Sequence, residues 1–202
     1  MRTLLIATTN PGKLREIRAL MRDVPVRLVS LADIPHIEEP EETGTTFEEN
    51  ARLKARYYAA PSGLWTVAED SGLVIDPLDG EPGVLSARFL RPDATYPERF
   101  AEIYRRLHAR GSPLRTARFV AALASVDGGE VVYETTGTIE GEIANAPSGA
   151  GGFGYDPIFF YPPYGRTLAD VNAADKIAVA HRGVAFRRFA SWVTERLKHE
   201  GP

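Results

Sequence analysis

Between Leu64 and Ile75 an apolar run, Leu64-Trp65-Thr66-Val67-Ala68, meets the adjacent carboxylates Glu69 and Asp70, then Ser71-Gly72, and turns apolar again in Leu73-Val74-Ile75. A segment of this kind has few homes, because its flanks must be buried and its charges must be held beside them. The two apolar runs predict short buried strands, with Ser71-Gly72 supplying turn chemistry between them. Glu69 and Asp70 then sit at a strand end. Neighbours on extended chain point to opposite sides, so one carboxylate faces a site and the other faces structure or solvent. Acids beside a turn are commonly turn formers or solvated charges. The functional alternative is a hard-metal ligand or general base, since Mg²⁺ takes a few oxygens and keeps waters.

The chain has 202 residues, enough for one large domain or two small lobes with a real core. Its net charge of -3 argues against a general nucleic-acid coat or an anionic-membrane binder. With no cysteine, disulfides and thiolate zinc are excluded, which fits a reducing, cytoplasmic setting. His36, His108, His181 and His199 lie far apart with no HExxH spacing. Leu4-Leu5-Ile6-Ala7 is too short for a signal-peptide core, and no apolar run approaches the ~18 residues of a membrane span. The expectation is a cytoplasmic protein with neither nucleic-acid nor membrane partners.

Leu4 to Thr8 reads as a first strand. Asn10 caps a helix with Pro11 at its first position, and Leu14, Ile17, Leu20 and Met21 recur at helical spacing. A helix start offers N–H groups and positive dipole to an anion, Lys13 adds a charge and Gly12 allows close approach; the alternative is a plain capped helix with a solvated lysine. Val26 to Leu31 gives a second strand. After a loop bearing Glu38, Glu39, Glu41 and Glu42, Thr46 opens a helix with capping-box spacing to Glu49, running to about Ala60. Asn50 and Lys54 share one of its faces, so Lys54 either reaches a phosphate or salt-bridges at the surface. Pro97 to Arg110 reads as a helix stopped by Gly111. Thr116 to Val126 and Glu130 to Ile139 read as strands joined by Asp127-Gly128-Gly129. This antiparallel piece beside a β-α-β opening predicts a mixed sheet. The glycine-rich run Gly149 to Pro157 is either flexible or shaped for close approach of a ligand, with Phe153 able to stack on a flat base. A last helix, roughly Gly183 to Lys198, follows His181-Arg182. A cation there opposes the dipole, which points to a ligand or to a local carboxylate partner.

The motifs Thr8-Thr9-Asn10-x-x-Lys13-x-x-Glu16, Glu41-Glu42-Thr43-Gly44, Phe47-x-Glu49-Asn50-Ala51-x-x-Lys54-Ala55, Glu69-Asp70-Ser71-Gly72-Leu73, Gly83-x-x-Ser86-Ala87-Arg88, Gly152-Phe153-Gly154-Tyr155-Asp156-Pro157 and His181-Arg182 stand in order along the chain. In that order and spacing the sequence, from about Leu4 to Trp192, resembles the inosine triphosphate pyrophosphatase (Ham1-like, XTP/dITP diphosphatase) family. The resemblance implies an α/β fold: a long mixed β-sheet with flanking helices, one domain (residues 1–202) of two lobes with a nucleotide cleft between them. It implies Mg²⁺-dependent hydrolysis of ITP, dITP and XTP to monophosphate and pyrophosphate by a homodimer with one or more Mg²⁺ per subunit. Carried over by position, Thr8, Thr9, Asn10, Pro11, Gly12 and Lys13 hold the phosphates with Lys54. Glu41 and Asp70 bind metal, Asp70 also activates water, and Ser71 contacts substrate. Phe153, Gly154, Tyr155, Asp156, Lys176, His181 and Arg182 recognise the base; for Arg182 the alternative is a structural ion pair with Asp175 or Asp156. Three positions depart from the family pattern: Glu69 for Asp, Thr9 for Gly and Ala180 for Ser. The rival readings are a Maf-like pyrophosphatase for other modified nucleotides, against which the Gly-Phe-Gly-Tyr-Asp loop and His-Arg argue, and a nucleotide-binding sensor without turnover, against which the acidic pair argues.

Overall fold

A computed structural model describes residues 1–200; residues 201 and 202, which the single-domain reading includes, lie outside the described part. The chain opens with β1 (Thr3–Ile6), α1 (Pro11–Leu20) and β2 (Arg27–Ser30). Leu4 and Leu5 are both fully buried, so β1 is an unbroken apolar run rather than an alternating one, as a strand covered on both faces requires. It pairs in parallel with β2 on one side and with β3 (Trp65–Ile75) on the other, Leu5 standing opposite Val29 and Thr66. Thr46 caps α2 (Phe47–Ser62) through the N–H of Glu49, and Gly63 ends it in the left-handed region, at φ 63°.

The acidic stretch departs from the expected strand–turn–strand. Trp65 to Ile75 is one continuous strand, β3, with Ser71 and Gly72 inside it. Gly72 is not among the positive-φ glycines. Ser-Gly permits a reversal but does not impose one; apolar residues on both sides, nearly all buried, favour continued extension into the sheet. Glu69 and Asp70 therefore lie mid-strand and are 3% and 5% exposed.

After β3 come α3 (Tyr96–Arg110), β4 (Thr116–Asp127), β5 (Glu130–Ile143), β6 (Phe159–Tyr161), β7 (Arg166–Thr167), α4 (Ala173–Val179) and α5 (His181–Glu200). Among the described residues the sheet has seven strands in the order β2-β1-β3-β4-β5-β6-β7. Its first pairs are parallel and the β5-β6 and β6-β7 pairs antiparallel, so the sheet is mixed.

The chain divides into two compact units. The first comprises Met1–Asp70, Ala121–Gly137 and the chain from His181 on; the second comprises Ser71–Val120 and Thr138–Ala180. The first is cored by Leu4, Ile6, Ile17, Met21, Trp65, Val67, Leu123, Phe186, Phe189 and Val193. The second is cored by Leu73, Ile75, Phe100, Ile103, Leu107, Phe119, Ile158, Phe159 and Leu168, among others. Among the described residues no helix is long and apolar enough to cross a membrane.

Candidate active site

The first unit gathers its buried charge around β3. Adjacent side chains leave a strand on opposite sides, and each acid meets its own set of cations. Glu69 takes a bidentate pair from Arg182, Nε to Oε2 at 2.9 Å and Nη2 to Oε1 at 2.8 Å. Lys13 Nζ lies 3.0 Å from the same Oε1, and Arg182 Nη1 donates to Glu16 at 2.5 Å. Burial opposes ionisation of Glu69, but Arg182 and Lys13 outweigh it and hold the carboxyl far below its usual range. The same pairing, with Glu16, lifts Arg182 despite the cost of its burial. Lys13 goes the other way: burial depresses its ammonium more than Glu69 restores it.

Asp70 faces a different set. Lys54 Nζ donates to its Oδ1 at 2.8 Å and to Glu42 Oε1 at 2.7 Å. Asn50, fully buried, directs Nδ2 to Asp70 Oδ2 at 3.3 Å. Burial works against the Lys54 ammonium, yet Asp70 and Glu42 together raise its pKa above the ordinary value. Glu41 is exposed; the carboxylate at Lys54 belongs to its neighbour Glu42. Thr9, also exposed, donates to Glu39.

At the start of α1 the backbone donors are already engaged by the Asn10 cap. Asn10 Oδ1 accepts from the N–H groups of Gly12 and Lys13 at 2.8 and 3.1 Å, Pro11 has none, and Leu14 N–H bonds to the Asn10 carbonyl. Thr8 in turn accepts from Asn10 N–H through Oγ1. A strong cap satisfies the donors that an anion would otherwise use. The helix start therefore presents its dipole and the Lys13 ammonium.

The second unit holds the glycine-rich loop. Asp156 is 3% exposed and accepts from Phe153 N–H at 2.8 Å and Lys176 Nζ at 2.6 Å. The Lys176 ammonium also lies 4.6 Å from the centre of the Phe153 ring, a cation–π arrangement. Gly152, at φ 69°, lies so close to Asp156 that a Cβ would stand 2.1 Å from Oδ2. Part of the glycine content thus serves close packing of the loop on its own aspartate. Tyr155 is buried, donates to the Ser86 carbonyl at 2.8 Å and packs edge-on against Tyr96; burial pushes its phenol up. Gly154 follows the Phe153 position at φ 66°, and Ser71 is half-buried next to Asp70 along the chain.

His181, the first residue of α5 and 6% exposed, adds to the positive surroundings of Glu69. The sequence predicted either a ligand or a carboxylate partner for His181-Arg182. The structure supplies carboxylates for Arg182, Glu69 and Glu16, rather than Asp175 or Asp156. Asn50 and Glu42 carry no role in the sequence reading, although the shared face of Asn50 and Lys54 was the available signal.

Among the described residues no three acidic or histidine side chains converge into a metal cage. Asp70 and Glu42 do converge, with a single cationic nitrogen at hydrogen-bond distance from an oxygen of each. That all-oxygen donor set fits Mg²⁺, which is typically bound by one or two carboxylates together with substrate phosphates.

Within this mixed α/β sheet the interior strand β3 buries two carboxylates, Glu69 against Arg182 and Lys13 and Asp70 against Lys54, in a cluster whose lysines an anion can also engage. The sequence model of the Ham1 family matches residues 4–192, and the chain belongs to that family. A relative from Exiguobacterium sp. (strain ATCC BAA-1283 / AT1b), named dITP/XTP pyrophosphatase, is 43% identical over 96% of this chain and 98% of its own length. One of the same name from Geobacter sulfurreducens is 45% identical over 92% of this chain and 93% of its own. The solved structure of a HAM1 protein from Coxiella burnetii superposes with a TM-score of 0.90 at 37% identity, covering 96% of this chain and all of that one.

Proposed function

We propose that this protein hydrolyses non-canonical purine nucleoside triphosphates (dITP, XTP and ITP) to the monophosphate and pyrophosphate, removing deaminated purines from the nucleotide pool. The observation that carries the reading is the Asp70 carboxylate, buried mid-strand between Lys54 and Asn50, with Glu42 on the same lysine. The family likeness and the names of its relatives support the choice of substrate and of the bond cut.

Lys13 and Lys54 receive the phosphates, and a second anion beside Lys54 loosens its hold on Asp70. Asp70 accepts the proton of the attacking water. The water oxygen bonds to the α-phosphorus, the bond from that phosphorus to the bridging oxygen breaks, and pyrophosphate leaves with the electron pair. Lys13, Lys54 and Arg182 face Glu16, Glu42, Glu69 and Asp70, so even with His181 counted as a fourth cation the cluster has no net positive charge before a polyanion arrives. Asp70 and an acid of the Glu41-Glu42 pair would hold Mg²⁺, which would offset the charge of the bound phosphates and help ionise water.

Phe153, positioned by Asp156 and Lys176, stacks on the base. A 6-carbonyl accepts from a donor where the adenine amino group cannot, and such a site rejects the wrong pattern by ~10⁴-fold or more. Under this reading Arg182 acts through Glu69, since its guanidinium is 2% exposed and engaged with two carboxylates. The enzyme is taken to be homodimeric, as the family likeness implies, and cytoplasmic, as the lack of cysteine suggests; sedimentation and cell fractionation test both.

The deciding experiment incubates the protein with Mg²⁺ and a panel of nucleoside triphosphates in ¹⁸O-water. Monophosphate and pyrophosphate from dITP and XTP are expected, with little from ATP. Label confined to orthophosphate, or no release from any member of the panel, overturns the proposal.

A further inference from the structure

Asn50 is 0% exposed, and a buried amide needs partners for both its ends. Its Oδ1 accepts from Gly44 N–H at 2.8 Å, while its Nδ2 donates to Asp70 Oδ2 at 3.3 Å and to the Gly44 carbonyl at 3.5 Å. One side chain thus grips the main chain of the acidic loop and the Asp70 carboxylate of β3. Lys54, one helical turn further along α2, makes the matching pair of contacts with Glu42 and Asp70. The two residues close a ring: Asp70 to Lys54, Lys54 to Glu42, along the chain to Gly44, Gly44 to Asn50, and Asn50 back to Asp70. Gly44 is fitted to this ring. A Cβ there would stand 2.6 Å from Asn50 Oδ1 and 2.8 Å from Glu49 Cβ.

We propose that Asn50 is a positioning residue that fixes how Asp70 and the Glu41-Glu42 loop face one another, and so sets the divalent-ion site. The inference rests on the functional reading above, because it takes Asp70 and this loop as the reactive and metal-binding pair. The physical argument is one of fixed spacing. An exposed acidic loop can move, and a hard cation binds tightly only where its carboxylates are already close. The Gly44–Asn50 grip holds the loop's backbone, so Glu41 and Glu42 need not be ordered by the ion itself. The Nδ2 donor also selects one rotation of the Asp70 carboxylate, leaving Oδ1 toward Lys54 and Glu42. Partners of this kind, one bond behind the ligands, are worth about 10–100-fold in metal affinity or activity when removed.

The test compares wild type, Asn50→Leu and Gly44→Ala. Mn²⁺ is titrated into the nucleotide-free protein and followed by electron paramagnetic resonance, and steady-state hydrolysis of dITP is measured well below the unfolding midpoint. Each variant is expected to bind Mn²⁺ about 10-fold or more weakly. In each, kcat should fall while KM for dITP changes little, since Lys13 and Lys54 are both kept. The double variant should be no worse than the more severe single one, because both break the same grip. A merely structural asparagine would lower thermal stability and leave Mn²⁺ affinity alone. Mn²⁺ binding and kcat within twofold of wild type in folded Asn50→Leu would overturn the proposal. If Asn50→Leu does not fold, Gly44→Ala decides it by the same criterion, since that change lies on the loop before α2. Should wild type release no pyrophosphate from dITP, the functional reading fails, and the Mn²⁺ comparison still decides whether Asn50 organises the acidic pair.

Discussion

Glu69 and Asp70 are neighbours with different duties, and the difference can be measured. Asp70→Asn keeps the shape but loses the charge and the basicity, so turnover should fall by about 10²–10⁴-fold with the protein still folded. Activity within threefold of wild type would remove Asp70 from the proposed role. Glu69 would be the milder position if its side chain pointed to solvent. It does not: it is the counter-charge of a buried Arg182 and of Lys13. Removing one partner of a buried ion pair strands the other, so Glu69→Gln should cost about 3–5 kcal/mol in urea unfolding. Arg182→Ala should likewise lower stability and reduce kcat/KM for ITP and ATP together. A selective loss on ITP would instead assign Arg182 to the base. The sequence made the two acids legible as a divergent pair, because strand geometry is local. It left their partners open, because Glu16 and Arg182 are brought together only by the packing of α1 on α5. Asn50 stayed hidden for the same reason: its partner Gly44 is near in sequence, but nothing in the spacing shows that Asp70 lies above it.

Elements were most legible where their ends carry side-chain chemistry. Asn10 and Thr46, both read as caps in the sequence, accept from first-turn N–H groups of their helices; Thr95, not singled out in the sequence, does the same for α3. The strand β3 was less legible, since Ser-Gly carries a turn signal that only the neighbouring strands overrule. The α3 cap yields a pH prediction. Arg91 and the Thr95 N–H and hydroxyl hold Glu98 at about 2, below the ordinary 4.5. A carboxylate depressed on folding stabilises the fold fully above its unfolded value and loses that contribution as pH falls toward its folded one. Wild type should therefore exceed Glu98→Gln in unfolding midpoint at pH 7. The gap should stay level down to about 4.5 and then close as pH approaches 2. A gap unchanged at the acid end would show that the carboxylate's ionisation is not what stabilises the cap.

At the scale of the molecule, the β-α-β opening, the hairpin and the mixed sheet were all legible from period and turn chemistry. Where the chain passes from one unit to the other was not, because the changes fall inside strands. β3, β4 and β5 each begin in one unit and end in the other, the chain changing unit after Asp70, Val120 and Gly137. A strand cannot be half unfolded without breaking its own ladder, so neither unit holds a complete set of strands by itself. The expected consequence is one cooperative unfolding transition. The two tryptophans, Trp65 and Trp192, both belong to the first unit and make its unfolding visible by fluorescence. Glu98 belongs to the second. In Glu98→Gln at pH 7 the tryptophan transition should therefore move by the same amount as the transition followed by circular dichroism, although the lost cap lies in the other unit. A tryptophan midpoint that stays at its wild-type position while the circular-dichroism curve shifts or splits would show that the shared strands do not bind the units into one folding unit.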